Sequence, residues 1–183
     1  IRDLARLHPA AGRSGDRAAP SDAAREQRRR VAAVRRAVRA AMPVRLGPQL
    51  AMAADAPTRG EDWLHEIKYD GYRVMAWRRG SDIRLYSRND HDWTERFSPI
   101  AEALAALPWE DAILDGEVVA VDREGRSDFQ ALQNALHDRR SGSLVYYLFD
   151  MPYCAGYDLC NAPLVERKAA LDDGLRLLDT GGR

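Results

Sequence analysis

The sequence predicts an α+β fold of antiparallel sheets with packed helices, preceded by a basic linker. Three observations predict it. From Trp63 onward the chain breaks into short segments rich in β-branched and aromatic residues, each bounded by Gly, Asp or Asn, as in strands joined by hairpins. Helical signals fall between those segments. They do not follow the regular β-α-β repeat of a parallel sheet.

The elements can be justified in order. Residues 1–42 read as the linker: residues 1–40 hold 11 Arg against 4 acidic residues, a net +7, which leaves 17 basic and 24 acidic residues, a net −7, for the rest. The stretch is rich in Ala, Arg, Gly and Pro and has no aromatic residue, so it cannot bury enough surface to fold alone. Ala23 to Ala41 has high helix propensity, with Val31, Val34 and Val38 at helical spacing, which predicts a partial helix. A basic arm suits nucleic-acid phosphates, and a solvated tether is the plainer alternative.

The folded part is expected over 43–183. "YRVMAWRR" (Tyr72 to Arg79), the turn "GSD" and "IRLYSRN" form one hairpin. Ser98 as N-cap and Pro99 as first helical residue start a helix over "PIAEALAAL". "AILDGEVVAVD" is a strand running into a turn at "REGR", after which Ser127 or Asp128 caps the helix "FQALQNAL". "LVYYLFDM" reads as a buried strand. A last helix from Pro163 carries Leu164, Leu171, Leu175 and Leu178 on one stripe, interrupted by Gly174 at some cost in propensity.

Composition narrows the function. With 45% hydrophobic residues, the 183-residue chain can bury the core of one domain, and a mean hydropathy of −0.50 with no apolar run near ~18 residues excludes a membrane-spanning helix. Cys154 and Cys160 are too few for a zinc site or a disulfide framework, which fits a reducing cytoplasm. His8, His65, His91 and His137 share no metal-like spacing and receive no role. The first residue, Ile1, and the lack of a charged-then-apolar leader suggest an internal piece of a longer chain.

One stretch, "LHEIKYDGYRVMAW", carries a chemical signal. Arg outnumbers Lys by 26 to 2, yet a lysine is kept at position 68. Arginine replaces lysine wherever only charge is needed, but a guanidinium never loses its proton and cannot attack as a nucleophile. Lys68 is therefore a candidate nucleophile, against the plainer reading of a surface charge. If Glu66 and Lys68 lie on an extended segment they share a face, and Asp70-Gly71 turns the chain into a return strand that begins near Arg73.

The run Lys68-Tyr69-Asp70-Gly71-Tyr72-Arg73 resembles the Lys-x-Asp-Gly-x-Arg signature of the covalent nucleotidyltransferases, the superfamily of ATP-dependent DNA ligases, RNA ligases and capping enzymes. Further matches follow in family order: Ser87-Arg88-Asn89, Asp115-Gly116-Glu117, and Tyr146-Tyr147-Leu148-Phe149-Asp150. Between the motifs, "SRNDHDWTERF", "LDGEVVAVDREGRSDFQALQNAL" and "YYLFDMPYCAGYDL" are similar to the ligase module of the bacterial multifunctional end-joining DNA ligases (ligase D). That similarity runs from about Pro43 to Leu178.

The resemblance implies an adenylation domain in which Lys68 attacks the α-phosphorus of ATP. The adenylate then passes to a DNA 5′-phosphate and is displaced by a 3′-hydroxyl, in repair by non-homologous end joining. An ordinary lysine, with a pKa of ~10.4, is deprotonated in only about one molecule per thousand at neutral pH, so such a site must favour the free amine through nearby cations, here Arg73, Arg88 and a metal ion. By the family pattern Phe149 stacks on adenine, Glu66 lies near its exocyclic amine through side chain or backbone, and Arg73 and Glu117 contact the ribose. Arg88 holds a phosphate of AMP or of the nick, Asp70 touches the DNA terminus, and Glu117 alternatively helps hold Mg²⁺ or Mn²⁺. The implied partners are DNA with nicks or double-strand ends, a bacterial end-binding protein, and fused polymerase or nuclease modules. The implied location is the nucleoid within the cytoplasm, with no membrane.

Two departures stand beside this. The family's later Glu-Gly-hydrophobic-hydrophobic-x-Lys and Lys-x-Lys strands and its oligonucleotide-binding barrel have no counterpart in the chain, so a partial adenylation domain, incomplete for sealing by itself, is expected. The only other lysine, Lys168, falls in the helix "LVERKAAL". The alternatives are an RNA ligase or GTP-using capping enzyme, separable by offering ATP against GTP, and a non-catalytic nucleotide-binding fragment, which the departures favour.

Overall fold

In the computed structural model, which describes residues 5–7, 22–122, 126–137 and 144–179, seven strands join one antiparallel sheet. β3 (Tyr72–Arg79) and β4 (Asp82–Ser87) form the expected hairpin, turning at Gly80 and Ser81, with Val74 opposite Ser87. On its other side β3 pairs with β5 (Asp111–Ala120), and β5 with β6 (Leu144–Cys154). The outer edge of β6 is shared between β1 (Ala5–Leu7), opposite Tyr146 to Leu148, and β7 (Tyr157–Asp158), opposite Tyr153 and Cys154. β2 (Val38–Arg39) adds to β7.

Because side chains alternate across a strand, this register sorts them onto two faces. Val74, Ala76, Leu114, Val118, Tyr146 and Leu148 belong to the main core, together with residues of α2 (Ser98–Ala105), α3 (Phe129–His137) and α4 (Leu164–Asp179) and with Phe97 and Trp109. The opposite face carries Met75, Trp77, Ile113 and Tyr153, a smaller cluster against which Met42 and Leu46 pack. Each large apolar side chain fully buried is worth roughly 1.5–3 kcal/mol, so the helix-covered face supplies most of the stability. The end of the open face that carries Arg73 and Glu117 is polar.

Several local expectations are corrected. The helix expected over Ala23 to Ala41 ends early: α1 spans Asp22–Ala33, Arg36 adopts φ +62°, and Val38, 58% exposed, belongs to β2 instead of a helical stripe. Ser98 does not cap α2; it is the first helical residue, and Phe97, fully buried in the core, stands at the cap position without a side-chain bond. Burial of that ring sets where the helix begins. At α3 the cap is Asp128, whose Oδ1 accepts from the Gln130 and Ala131 amides at 2.8 and 3.0 Å.

α4 buries Arg167, Ala170, Leu171, Gly174 and Leu175, the i, i+3, i+4, i+7, i+8 pattern of one helix face, while Leu164 is exposed and so leaves the expected stripe. Gly174 has a packing reason: a β-carbon there would lie 2.1 Å from the Trp109 ring, so glycine lets the indole rest on the helix backbone. α1 docks on α4 through Gln27, whose Nε2 donates to the Ala170 carbonyl at 2.8 Å, and through the Arg30–Asp173 ion pair at 2.7 Å. The expected turn residues 123–125, His8, and the side chains of His137 and Leu178 lie outside the described residues.

Candidate active site

The segment that carries Lys68 is not a strand. Residues 63–70 adopt no regular structure, so the hairpin turn expected at Asp70-Gly71 does not form. Gly71 serves a close approach instead: a β-carbon there would sit 2.2 Å from the Val118 carbonyl oxygen, so only glycine lets the chain enter β3 pressed against β5. From that position the Gly71 amide favours the charged form of the Glu117 carboxyl. Two further anchors hold the segment. The Tyr69 ring stacks on Tyr147 with centroids 4.1 Å apart, and Glu66 Oε1 forms an ion pair with Lys168 Nζ. Lys68 is exposed between them.

The floor of the site is the polar end of the open face. Arg73, Glu117 and Tyr147 stand opposite one another on three adjacent strands. The Arg73 fork donates through Nε and NH2 to the two oxygens of buried Asp115, at 2.5 and 2.6 Å, and its guanidinium lies over the Phe149 ring, 4.4 Å from the centroid. Phe149 owes its position to an irregular register: Gly116 pairs with Leu148 but Asp115 with Asp150, which leaves one extra residue on β6. Asp150 is gripped from α4, where Arg167 Nε and NH2 donate to it at 2.7 and 2.8 Å and Arg167 NH1 donates to the Ala162 carbonyl at 2.6 Å.

The electrostatics follow from this geometry. Burial pushes the Glu117 carboxyl above its ordinary value, and the Arg73 and Lys68 charges with the Gly71 amide offset only part of that. Burial likewise pushes Asp115 up, opposed by the Arg73 fork. Arg73, partly desolvated and facing Asp115 and Glu117, stays charged.

The segment and floor thus bring Glu66, Lys68, Arg73, Glu117 and Phe149 to one end of the sheet. Arg88 follows directly on Ser87, whose partner Val74 adjoins Arg73, so it belongs to the same end. Ser87 itself is buried and shapes that loop: its Oγ accepts from the His91 amide at 3.1 Å. Asp70 is exposed beside Gly71. Sequence reasoning assigned no part to Asp115, Tyr147, Arg167 or Lys168. A charged residue at the head of α4's buried stripe could have disclosed Arg167, and the scarcity of lysine could have disclosed Lys168.

Comparison with known proteins decides the family. A family model described as the ATP dependent DNA ligase domain matches residues 48–178. The chain belongs to the ATP-dependent DNA ligase domain family. Among its relatives, the multifunctional non-homologous end joining protein LigD of Pseudomonas aeruginosa is 48% identical over 131 residues, covering 72% of this chain and 16% of that protein. A probable DNA ligase of Mycobacterium marinum is 34% identical over 140 residues, covering 69% of this chain and 27% of the relative. The crystal structure of the ligase domain of M. tuberculosis LigD aligns with a TM-score of 0.50 at 30% identity, over 58% of this chain and 35% of that one. The α+β architecture is thus that of a ligase domain, and the chain spans a minor part of the length of each of these ligases. No helix among the described residues is long and apolar enough to cross a membrane.

Proposed function

We propose that this chain carries the nucleotide-binding part of an ATP-dependent DNA ligase and forms a lysyl-adenylate on Lys68. The observation that supports it best is the convergence of separate motifs: Tyr69 stacks on Tyr147, and the Gly71 amide meets Glu117, which draws the lysine segment onto β5 and β6, the strands that bear two of the other motifs. Lys68 Nζ, after losing a proton to solvent, forms a bond to the α-phosphorus of ATP as the bond to pyrophosphate breaks. Phosphoryl transfer asks mainly for positioning and charge neutralisation. Phe149 offers adenine a ring whose orientation is held by the Arg73 guanidinium, Glu66 receives the exocyclic amine, and Arg73 and Glu117 receive the ribose. Arg88 binds phosphate and Asp70 meets the DNA terminus.

A divalent ion, Mg²⁺ or Mn²⁺, fits Glu117. Asp115 and Asp150 are each taken up by an arginine fork, whereas Glu117 faces the site, and Mg²⁺ commonly uses one or two carboxylates beside substrate phosphates. Bound there, the ion would supply neutralisation of phosphate charge. The wider setting follows the relatives: nicked or broken DNA as substrate, end joining as the process, polymerase or nuclease modules and an end-binding protein as companions, and the cytoplasmic nucleoid as the place. The 43–183 portion is the adenylation unit of this reading.

Replacing Lys68 with Arg keeps the charge and removes the nucleophile. With α-labelled ATP the parent chain should acquire covalent label and Lys68→Arg none, both remaining folded by circular dichroism. Label of equal intensity in the variant would refute the assignment.

A further inference from the structure

We propose that Lys168 is the positioning residue of the base pocket, setting the selectivity for adenine by clamping Glu66 to β6; this rests on the nucleotide-binding reading above. Its Nζ does two things at once. It donates to the Phe149 carbonyl at 2.6 Å and forms the ion pair with Glu66. These are the two residues assigned to the base, and they come from different parts of the fold: Phe149 from the irregular stretch of β6, Glu66 from a segment with no secondary structure of its own. Only Lys168 touches both among the described contacts.

The choice of residue is informative. In a chain that uses arginine at 26 of its 28 basic positions, the clamp is the second lysine. A carbonyl and a carboxylate oxygen converging on one point suit a compact ammonium with three donors, whereas a guanidinium would spread its donors over a flat fork. The side chains of Lys168 and Glu66 are 22% and 40% exposed, so neither is packed rigidly without the other.

The clamp explains how an unstructured segment can read a base. Adenine presents an amine donor where guanine presents a carbonyl acceptor. A fixed carboxylate accepts from the first and repels the second, but only if it cannot swing away. Lys168 binds one carboxylate oxygen and leaves the other, Oε2, directed by that restraint. It also keeps its own ammonium occupied, since a loose ammonium in the same place would reward guanine's oxygen.

The test is equilibrium binding of ATP and of GTP to the full chain, parent and Lys168→Met, with Glu66→Ala and the double variant as companions. Methionine keeps the stem and removes the charge. Losing a hydrogen bond to a charged group predicts ATP binding weaker by roughly tenfold or more in Lys168→Met, with preference over GTP reduced further. Glu66→Ala should lose the preference too, and adding Lys168→Met to it should change little. Unaltered ATP-to-GTP preference in a folded Lys168→Met chain, or losses that simply add in the double variant, would overturn the clamp. Binding does not require transfer to Lys68. A chain that prefers ATP but never becomes labelled would therefore sink the proposed reaction and leave the clamp standing, whereas a chain that binds no ATP would sink both.

Discussion

Glu117 holds a position in which folding and its proposed function oppose one another. Its carboxyl sits above the ordinary 4.5 because burial outweighs the help it receives from Arg73, Gly71 and Lys68. A carboxyl with a raised folded value favours the neutral form, so the stability it contributes is complete below the ordinary value and declines as pH rises through the raised one. Glu117→Gln, neutral at every pH, should therefore melt at a higher temperature than the parent near about pH 7, and the gap should close below about pH 4. Its ATP affinity should fall in the same samples. A lower melting temperature at neutral pH would show that the carboxylate stabilises the fold on balance.

At the scale of elements, α4 is where packing overrides propensity. Gly174→Ala would gain about 1 kcal/mol of helix propensity and lose more to overpacking, typically 1–3 kcal/mol, because the new methyl would meet the Trp109 ring at 2.1 Å. A net loss of stability, read by urea denaturation, is expected; a gain would mean the indole moves aside easily. The same helix shows what could be read in advance. Strands of alternating or continuous apolar residues, such as β3 and β6, were legible because their pattern is local. Leu171 and Leu175 were legible for the same reason. Arg167 and Leu164 were not, since an arginine enters a buried stripe only when a distant carboxylate, here Asp150, waits for it. The Asp70-Gly71 pair misled because Asp-Gly ordinarily signals a turn, and the crowding against Val118 that requires glycine lies 47 positions along the chain, beyond any local window. Within the candidate site, residue types and order were legible, but the salt-bridged partners that orient them were not.

At the scale of the molecule, the uneven charge along the chain has a structural use. The arginine-rich α1 lies against the acidic side of α4, with Arg30 on Asp173, and buries Val31 and Gln27, while Arg35, just past its end, pairs with Glu166. Exposed ion pairs of this kind contribute about 0–1 kcal/mol each, so the apolar and amide contacts should carry most of the attachment. Deleting residues 1–40 should then lower the melting temperature by about 5 °C or more, at roughly 2–4 °C per kcal/mol, with little dependence on salt. An unchanged melting temperature would return the segment to a tether.

The Glu66–Lys168 pair has a consequence in time as well as in space. A ribosome releases the lysine segment about a hundred residues before it makes the helix that restrains it, and contacts of such long separation close late because their loop entropy is lost first. Under the proposed function, the nascent chain thus exposes its nucleophile well before it owns a base pocket. On that reading nucleotide recognition becomes a property acquired late in folding, and a chain stalled before α4 would carry the proposed reactive amine with no means of choosing what it meets.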